Sequence, residues 1–159
     1  MSTRRSAVGL VAILAVTFLA AVAGLVFTSQ SVPTWYQSLH RPDWTPPDWI
    51  FGPVWTFLYV MMAVAAWLVW REAGWAGGRK ALIFYGIQLV LNAAWSPLFF
   101  GLHLPAAALV DLVALWLAIL AAAIAFSAHS RVAAWLMAPY LAWVTFAGLL
   151  NLALWRMNT

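Results

Sequence analysis

The sequence contains no cysteine among its 159 residues, which excludes disulfides, thiolate metal sites and a cysteine nucleophile. Charge is also scarce, since 8% of the residues are Asp, Glu, Lys or Arg while 66% are hydrophobic. That polar content is too small to cover a soluble globule of this length, so the composition predicts an integral membrane protein. The eight Lys and Arg residues are scattered among apolar runs and form no basic face that would bind nucleic acid.

Five apolar runs are long enough to cross a hydrocarbon core as helices, which takes about 20 residues each. Helices are favoured because the runs lack the alternating pattern of a membrane barrel and because unpaired backbone groups are costly in lipid. We predict an all-α integral membrane protein with a single domain over residues 1–159. Its bundle of five transmembrane helices lies near 7–27, 50–70, 81–101, 105–126 and 132–155, with a long connection over 28–49.

The first run also resembles a cleavable signal peptide, because two arginines precede it and "AVAG" at 21–24 resembles a cleavage site. It continues through Phe27, which is long enough to span, so we retain it as a helix and expect the termini on opposite sides. Most Lys and Arg residues fall on the N-terminal side, at Arg4, Arg5, Arg71, Arg79, Lys80 and Arg131, against Arg41 and Arg156 on the other. The positive-inside rule predicts a cytoplasmic N-terminus and a 28–49 connection in the opposite compartment.

The segment "RPDWTPPDWIFGPVWTFLY", residues 41–59, concentrates four prolines and three tryptophans. Proline fixes its own φ and disfavours the α region for the preceding residue, so the first half of the segment is a stiff connector. Trp55 precedes Tyr59 by four residues, and the pair shares one helix face. Other tryptophans near helix ends are interpreted as an aromatic belt at the membrane surface. They are Trp35, Trp44, Trp70, Trp75, Trp135 and Trp155.

A polar ridge follows the third predicted helix, in "YGIQLVLNAAWSPLFFG" at 85–101. Gln88, Asn92 and Ser96 recur at i, i+4 and i+8. Amides at membrane depth must face a partner or a cavity, so they either fix the packing through interhelical hydrogen bonds or contribute to a site. Pro97 removes one backbone hydrogen bond and frees the carbonyl of Ala93.

The fifth predicted helix has a comparable face in "PYLAWVTFAGLLN", residues 139–151, and Pro139 should kink the chain near its start. Helical spacing places four residues on that face: Tyr140, Trp143, Ala147 and Asn151. Helices two, three and five therefore each offer aromatic rings and a few hydrogen-bonding groups, which is the composition of a pocket for a flat apolar ligand.

Titratable groups inside the predicted bundle are few. The three histidines, His40, His103 and His129, fall in loops or at helix ends, so no histidine pair lies inside to ligate a haem iron on both faces. Asp111 is the acid that falls within a span. It either hydrogen-bonds to a neighbouring helix or acts in a proton relay.

Three segments, "WYQSLHRPDWTPPDWIFGPVWTFLY", "QLVLNAAWSPLFFG" and "PYLAWVTFAGLLN", together resemble the signature segments of the TspO/MBR family. That family comprises the bacterial tryptophan-rich sensory proteins and the mitochondrial translocator protein, also called the peripheral-type benzodiazepine receptor. The resemblance covers nearly the whole chain. It implies five helices, a homodimer, and a pocket, closed by the first loop, that binds porphyrins such as haem and protoporphyrin IX, sterols, and isoquinoline or benzodiazepine drugs.

The resemblance also implies roles for individual residues. Tyr36 and Pro46 match lid residues that line the pocket, and Trp55 and Asn92 match residues that hydrogen-bond a ligand carbonyl. The matching wall positions are Trp95, Trp143 and Ala147. Trp55 and Trp143 further match tryptophans implicated in light-dependent porphyrin degradation, which would make them catalytic.

One position departs from the family pattern. Leu152, between Leu150 and Arg156, stands where the sterol-recognition pattern of animal members has tyrosine, so sterol binding through that motif is not expected. We expect no metal site and no obligatory cofactor, with porphyrin or haem as a ligand. Three functions follow as alternatives: tetrapyrrole binding in transport, sensing or regulation; light-dependent porphyrin degradation; and proton-coupled export of small molecules, which would need Asp111.

Overall fold

The computed structural model describes residues 3–159, which form helices and connecting turns without a β-strand in that range. The helices are α1 (Thr3–Ser31), α2 (Trp35–Ser38), α3 (Asp48–Ser96), α4 (Pro105–Ser127), α5 (Arg131–Leu136) and α6 (Ala138–Met157). A π-helical turn over Pro97–Gly101, here the π-turn, follows α3. The predicted all-α membrane fold is confirmed.

Helix α3 is two antiparallel helices joined at Gly74. A straight helix of its 49 residues would be about 74 Å long, more than twice the hydrocarbon thickness of a bilayer. Gly74 has φ 66° and ψ −172°, which breaks the helix and reverses its direction. The Tyr59 hydroxyl on one half consequently reaches Asn92 on the other. We name the halves α3a (48–73) and α3b (75–96).

The described chain has four stretches that are long and apolar enough to cross a membrane: Thr3–Ser31, Asp48–Gly101, Pro105–Ser127 and Arg131–Met157. The second holds 54 residues and folds back at Gly74, so the bundle has five long helical arms. The connection predicted over 71–80 is helical on both sides of Gly74. Helix α1 continues to Ser31, and the short α2 lies within the predicted first connection.

Replacement of Gly74 by alanine should lower the free energy of unfolding by about 1–3 kcal/mol, because its φ and ψ lie in a region that is essentially restricted to glycine. Gly86 is the matched control. It is helical and exposed, with open space where a Cβ would stand, so Gly86→Ala should raise stability by up to about 1 kcal/mol. Thermal unfolding of both variants in detergent checks the sign, and a gain of stability in Gly74→Ala would contradict the proposed break.

Proline shapes two other bends. Pro97 begins the π-turn, in which the Leu102 amide donates to the Pro97 carbonyl at 2.8 Å. The Ser31 hydroxyl donates to the Phe100 carbonyl at 2.5 Å and so ties the end of α1 to this turn. The last predicted span is interrupted at Met137, between α5 and α6, where Pro139 in the first turn of α6 has no N–H to continue the α5 ladder.

The core lies where both halves of α3 pack against α4, α5 and α6, away from the 32–47 connection. Small side chains allow close helix contact there, and Ala63, Ala66 and Ala122 are fully buried. Helix α1 packs on α3, where the Thr17 hydroxyl lies 2.6 Å from the Tyr85 hydroxyl. A second, smaller buried cluster lies near the 32–47 connection and includes Tyr36, Phe99 and Phe100, which also line a cavity.

Candidate functional site

A cavity of about 610 Å³ occupies the end of the bundle under the 32–47 connection. Its walls come from α1, α2, α3a, α3b, the π-turn, α4 and α6, and they are mostly apolar and aromatic. This volume is within the range of small-molecule sites, which are typically apolar with a few placed polar groups. The structure brings six of the predicted site residues together in the lining: Tyr36, Trp55, Asn92, Trp95, Trp143 and Ala147.

Pro46 lies elsewhere. It borders a shallow outer depression together with Arg41, Thr45 and Asp48, and it is absent from the cavity lining. The extended backbone that its own ring and that of Pro47 impose carries this part of the connection over the outside of the site. Pro46 therefore shapes the connection that covers the cavity in this structure without forming its inner surface.

A chain of buried hydrogen bonds runs from the cavity floor into the core. The Tyr59 hydroxyl donates to Asn92 Oδ1 at 2.5 Å, and Asn92 Nδ2 donates to the Tyr140 hydroxyl at 2.8 Å. That hydroxyl donates in turn to Gln88 Oε1 at 2.9 Å. Gln88 is fully buried and fixes packing, whereas Asn92 lines the cavity and keeps a second N–H that these bonds leave unused.

Hydrogen bonds on the side away from the cavity fix the Trp95 ring in the wall. Its indole N–H donates to Asn151 Oδ1 at 3.2 Å, and Asn151 Nδ2 donates to the Pro105 carbonyl at 2.7 Å. The Trp95 ring stacks on Phe99 with centroids 5.1 Å apart. Because its donor is already engaged, Trp95 offers a ligand its ring face.

Trp143 differs from Trp95 because its buried indole nitrogen has no hydrogen-bond partner in the described part of the chain. Its ring lines the cavity and contacts Phe51 and Phe146, with centroids 5.8 and 5.3 Å away. A buried donor without a partner costs about 1–3 kcal/mol, so a polar atom that reached it would recover that energy. Trp55, on α3a, packs beside Tyr59 with centroids 5.6 Å apart and meets the Tyr140 ring at 6.2 Å.

The connection over 32–47 acts as a lid that polar contacts fasten at its α3a side. Gln37 Nε2 donates to Asp48 Oδ2 at 2.7 Å, and Arg41 Nη2 donates to Gln37 Oε1 at 3.0 Å. Arg41 also lies 3.5 Å from Asp48 Oδ1 and 5.2 Å from the Tyr36 ring centroid. Burial raises the pKa of Tyr36, with Arg41 opposing the shift, so the Tyr36 hydroxyl stays protonated at neutral pH and is available as a donor.

Two further contacts fasten the lid to the rest of the bundle. Asn158, at the end of α6, accepts from the His40 backbone N–H and donates to the His40 carbonyl, each at 2.9 Å. Trp35 stacks on His103 with ring centroids 4.1 Å apart. Neither pair was predicted. Their members are 118 and 68 residues apart in the sequence, and no local pattern signals them.

Helix α1 supplies a wall that sequence reasoning also missed. Its lining residues include Phe18, Ala21, Gly24, Leu25 and Thr28. The hydrophobic residues of α1 surround the helix and mark no inner face, but its three buried residues, Thr17, Gly24 and Ser31, are small or polar and recur every seven residues. Gly24 marks the place where α1 approaches α3b. A Cβ added at this position would lie 2.9 Å from the Ser96 hydroxyl.

The six tryptophans of the proposed aromatic belt differ in exposure. Trp44, Trp75 and Trp135 are each more than half exposed, as membrane-surface residues would be, and Trp155 is half-buried. Trp35 instead belongs to the lid, and the Trp70 ring fills the space beside Gly9 on α1. Both rings are half-buried, because Trp35 stacks on an imidazole and Trp70 uses the space that the missing side chain of a glycine leaves.

The acidic residues and histidines do not gather at one point of the described chain. Within residues 3–159 no three His, Asp or Glu side chains cluster as a metal site would require. The histidines are in turns between helices. Asp111 is on α4 outside the cavity lining, and its buried Oδ2 has no hydrogen-bond partner within the described range, although a bond to a neighbouring helix was one of its two expected roles.

Comparisons with known proteins agree with the described architecture. A profile of the TspO/MBR family matches residues 11–156. The chain is 40% identical over 158 residues to the tryptophan-rich protein TspO of Archaeoglobus fulgidus, with 99% of each chain covered. It is 40% identical over 144 residues to the tryptophan-rich sensory protein of Cereibacter sphaeroides, with 89% of each covered. It is 44% identical over 127 residues to the Homo sapiens translocator protein, which covers 78% of this chain and 75% of the relative.

Proposed function

The chain belongs to the TspO/MBR family of membrane proteins, and from that premise we propose that its cavity binds a flat, apolar ligand of the porphyrin class, such as protoporphyrin IX or haem. The protein would act in the transport, sensing or regulation of tetrapyrroles. The observation that carries the proposal is the cavity itself, about 610 Å³ in volume, with aromatic walls on several helices and few polar groups.

The lining suggests how such a ligand is held. Aromatic side chains bury large apolar area and favour stacked or edge contacts with a conjugated ring. The rings of Trp55, Trp95 and Trp143 provide such contacts, while the spare N–H of Asn92 and the hydroxyl of Tyr36 suit carbonyl or carboxylate oxygens. Binding would therefore depend on the ring system and not on axial ligation of a metal.

A negatively charged substituent of the ligand would pair with Arg41 on the lid. Arg41 already lies 3.5 Å from Asp48 and above the Tyr36 ring, and both side chains of this ion pair are about one-third exposed. A ligand carboxylate near Tyr36 would compete with Asp48 for the same guanidinium, since two parallel hydrogen bonds to a carboxylate suit arginine. We propose that a propionate of the porphyrin occupies this position.

Titration of protoporphyrin IX into detergent-purified protein in the dark tests the proposal through tryptophan quenching. We expect saturable quenching with one ligand per chain, because one cavity brings several tryptophans within contact of the ring. The Asp111→Asn variant is the control and should titrate as the unmodified chain does, since Asp111 is not in the lining. Quenching that rises linearly without saturation would contradict a defined site.

Light-dependent degradation of the bound porphyrin is a second candidate function. Trp55 and Trp143 both line the cavity, so each ring is close enough to contact one bound ligand. Illumination of the titrated sample should then bleach the porphyrin spectrum, and Trp55→Phe should slow the bleaching while leaving dark binding measurable. A stable porphyrin spectrum in the unmodified chain under light, with binding intact, would contradict degradation and support binding as the function.

The cytoplasmic N-terminus and the homodimer stay predictions.

A further inference from the structure

The cavity also opens sideways, between α1 and α3a. Several of its lining residues are exposed on the outer surface of the bundle, and they come from these two helices. On α1 they are Val22, Leu25 and Ser29, of which Val22 and Leu25 are 56% and 65% exposed. On α3a they are Gly52 and Thr56. A residue that lines a cavity and also faces outside marks an opening, so we name this the α1–α3a gap.

The attachments of α1 explain why the gap exists. Towards the lid, α1 is fastened to α3b and the π-turn: Thr28 lies 3.5 Å from the Ser96 hydroxyl, and Ser31 donates to the Phe100 carbonyl. Gly24 allows the close approach to Ser96. Among the described residues no hydrogen bond joins this part of α1 to the first two turns of α3a.

At the opposite end α1 returns to α3a. The Trp67 indole donates to the Ser6 carbonyl at 2.9 Å, and Trp70 packs on Gly9. Phe18 meets Tyr59 with ring centroids 5.9 Å apart, which closes the gap from below. The two helices therefore touch along their lower halves and separate above Tyr59, where the cavity lies.

The residues that border the gap lie within two of the apolar spans. Thr56 lies eight residues after the start of α3a and Leu25 six before the end of α1, which is about 12 Å and about 9 Å along the helix axes. The neighbouring outward side chains are apolar, with Phe57 and Val26 59% and 53% exposed. Thr56 and Ser29 donate to carbonyls of their own helices, so neither offers an unpaired donor to lipid.

In contrast to the gap, the route from the aqueous side into the cavity is covered by the lid. The lid is fastened to α3a through Gln37 and Asp48, to α6 through Asn158, and to the π-turn side through the Trp35 and His103 stack. We propose that the α1–α3a gap is a lateral portal through which lipid-dissolved, flat apolar molecules pass between the bilayer and the cavity. For its porphyrin cargo this inference rests on the proposed function, whereas the passage itself can be measured with any apolar probe.

The absence of native cysteine allows a direct test. Ala147→Cys places one thiol on the cavity wall, and the protein is reconstituted into phosphatidylcholine vesicles. We expect N-(1-pyrenyl)maleimide, which dissolves in the bilayer, to label this thiol, while a sulfonated, membrane-impermeant maleimide does not. Adding Thr56→Trp should slow pyrenyl labelling by about tenfold or more, because the indole would obstruct the gap.

Val60→Trp is the matched control, since it adds the same side chain one turn further along α3a at an exposed position outside the lining. It should leave the labelling rate unchanged, and Leu25→Trp, from the other side of the gap, should repeat the Thr56→Trp effect. Equal labelling rates in Thr56→Trp and Val60→Trp would overturn the portal, as would acceleration by Asn158→Ala in the Thr56→Trp background to the unobstructed rate. A porphyrin that failed to bind would refute the proposed cargo without changing these rates.

Discussion

Replacing Asn92 by leucine should lower the free energy of unfolding by about 2–4 kcal/mol and weaken protoporphyrin IX binding by about tenfold or more. The stability loss follows because the Tyr59 hydroxyl would lose its acceptor inside the protein and Tyr140 would lose one of its two partners. The affinity loss follows because Asn92 is the member of this network whose spare N–H lines the cavity. Chemical unfolding in detergent and dark quenching titration measure the two effects separately.

Gln88→Leu is the control that separates packing from binding. Gln88 belongs to the same network but lies outside the lining, so its replacement should cost about 1–2 kcal/mol of stability with little change in affinity. If Asn92→Leu were destabilised but bound the porphyrin as tightly as Gln88→Leu, Asn92 would serve packing alone. Sequence reasoning left these two roles open, and this pair of variants distinguishes them.

The sequence predicted the inner walls best where polar residues recur at helical spacing. Asn92 in α3b and Trp143 and Ala147 in α6 stand among polar or aromatic neighbours at i+3 and i+4, and that period fixes which side of a helix they share. Because lipid cannot satisfy an amide, the same residues had to face inward. Family resemblance then gave each position a role, and the structure brings them to one cavity.

The contribution of α1 was missed because its hydrophobic residues surround the helix, and the small or polar residues that mark its inner face, Thr17, Gly24 and Ser31, recur only once in seven residues. Its orientation depends on tertiary contacts such as Thr17 with Tyr85 and Gly24 with Ser96. The lid is similar. Prolines predicted a stiff connector, but its fastening by Asn158 is a long-range contact that only the folded chain creates.

The turn between the second and third spans lies within the predicted 71–80 connection but is shorter than that connection. Residues 71–80 hold charged residues and several glycines, which favoured a loop, yet Arg71, Arg79 and Lys80 are good helix formers and continue the helices to the membrane surface. The change of direction between the two spans then needs only the non-helical backbone of Gly74. Composition identifies such a turn, and backbone sterics decide which residue makes it.

Trp143→Ala should weaken protoporphyrin IX binding by about 10–100-fold, because loss of a large buried aromatic contact at the centre of a site typically costs 2 kcal/mol or more. Trp135→Ala is the matched control: that ring is 76% exposed on α5 and absent from the lining, so dark titration should give the unmodified affinity.

The Trp143→Phe variant shows which part of the Trp143 side chain contacts the ligand. It keeps an aromatic ring between Phe51 and Phe146 but removes the indole N–H that has no partner among the described residues. If the ring holds the ligand, phenylalanine should recover most of the affinity and also gain stability, since it no longer buries an unpaired donor. If a ligand oxygen accepts from the indole, the Phe variant should bind nearly as weakly as Ala while remaining at least as stable as the unmodified chain. Equal affinity in the unmodified chain, Trp143→Ala and Trp143→Phe would mean that the porphyrin binds elsewhere.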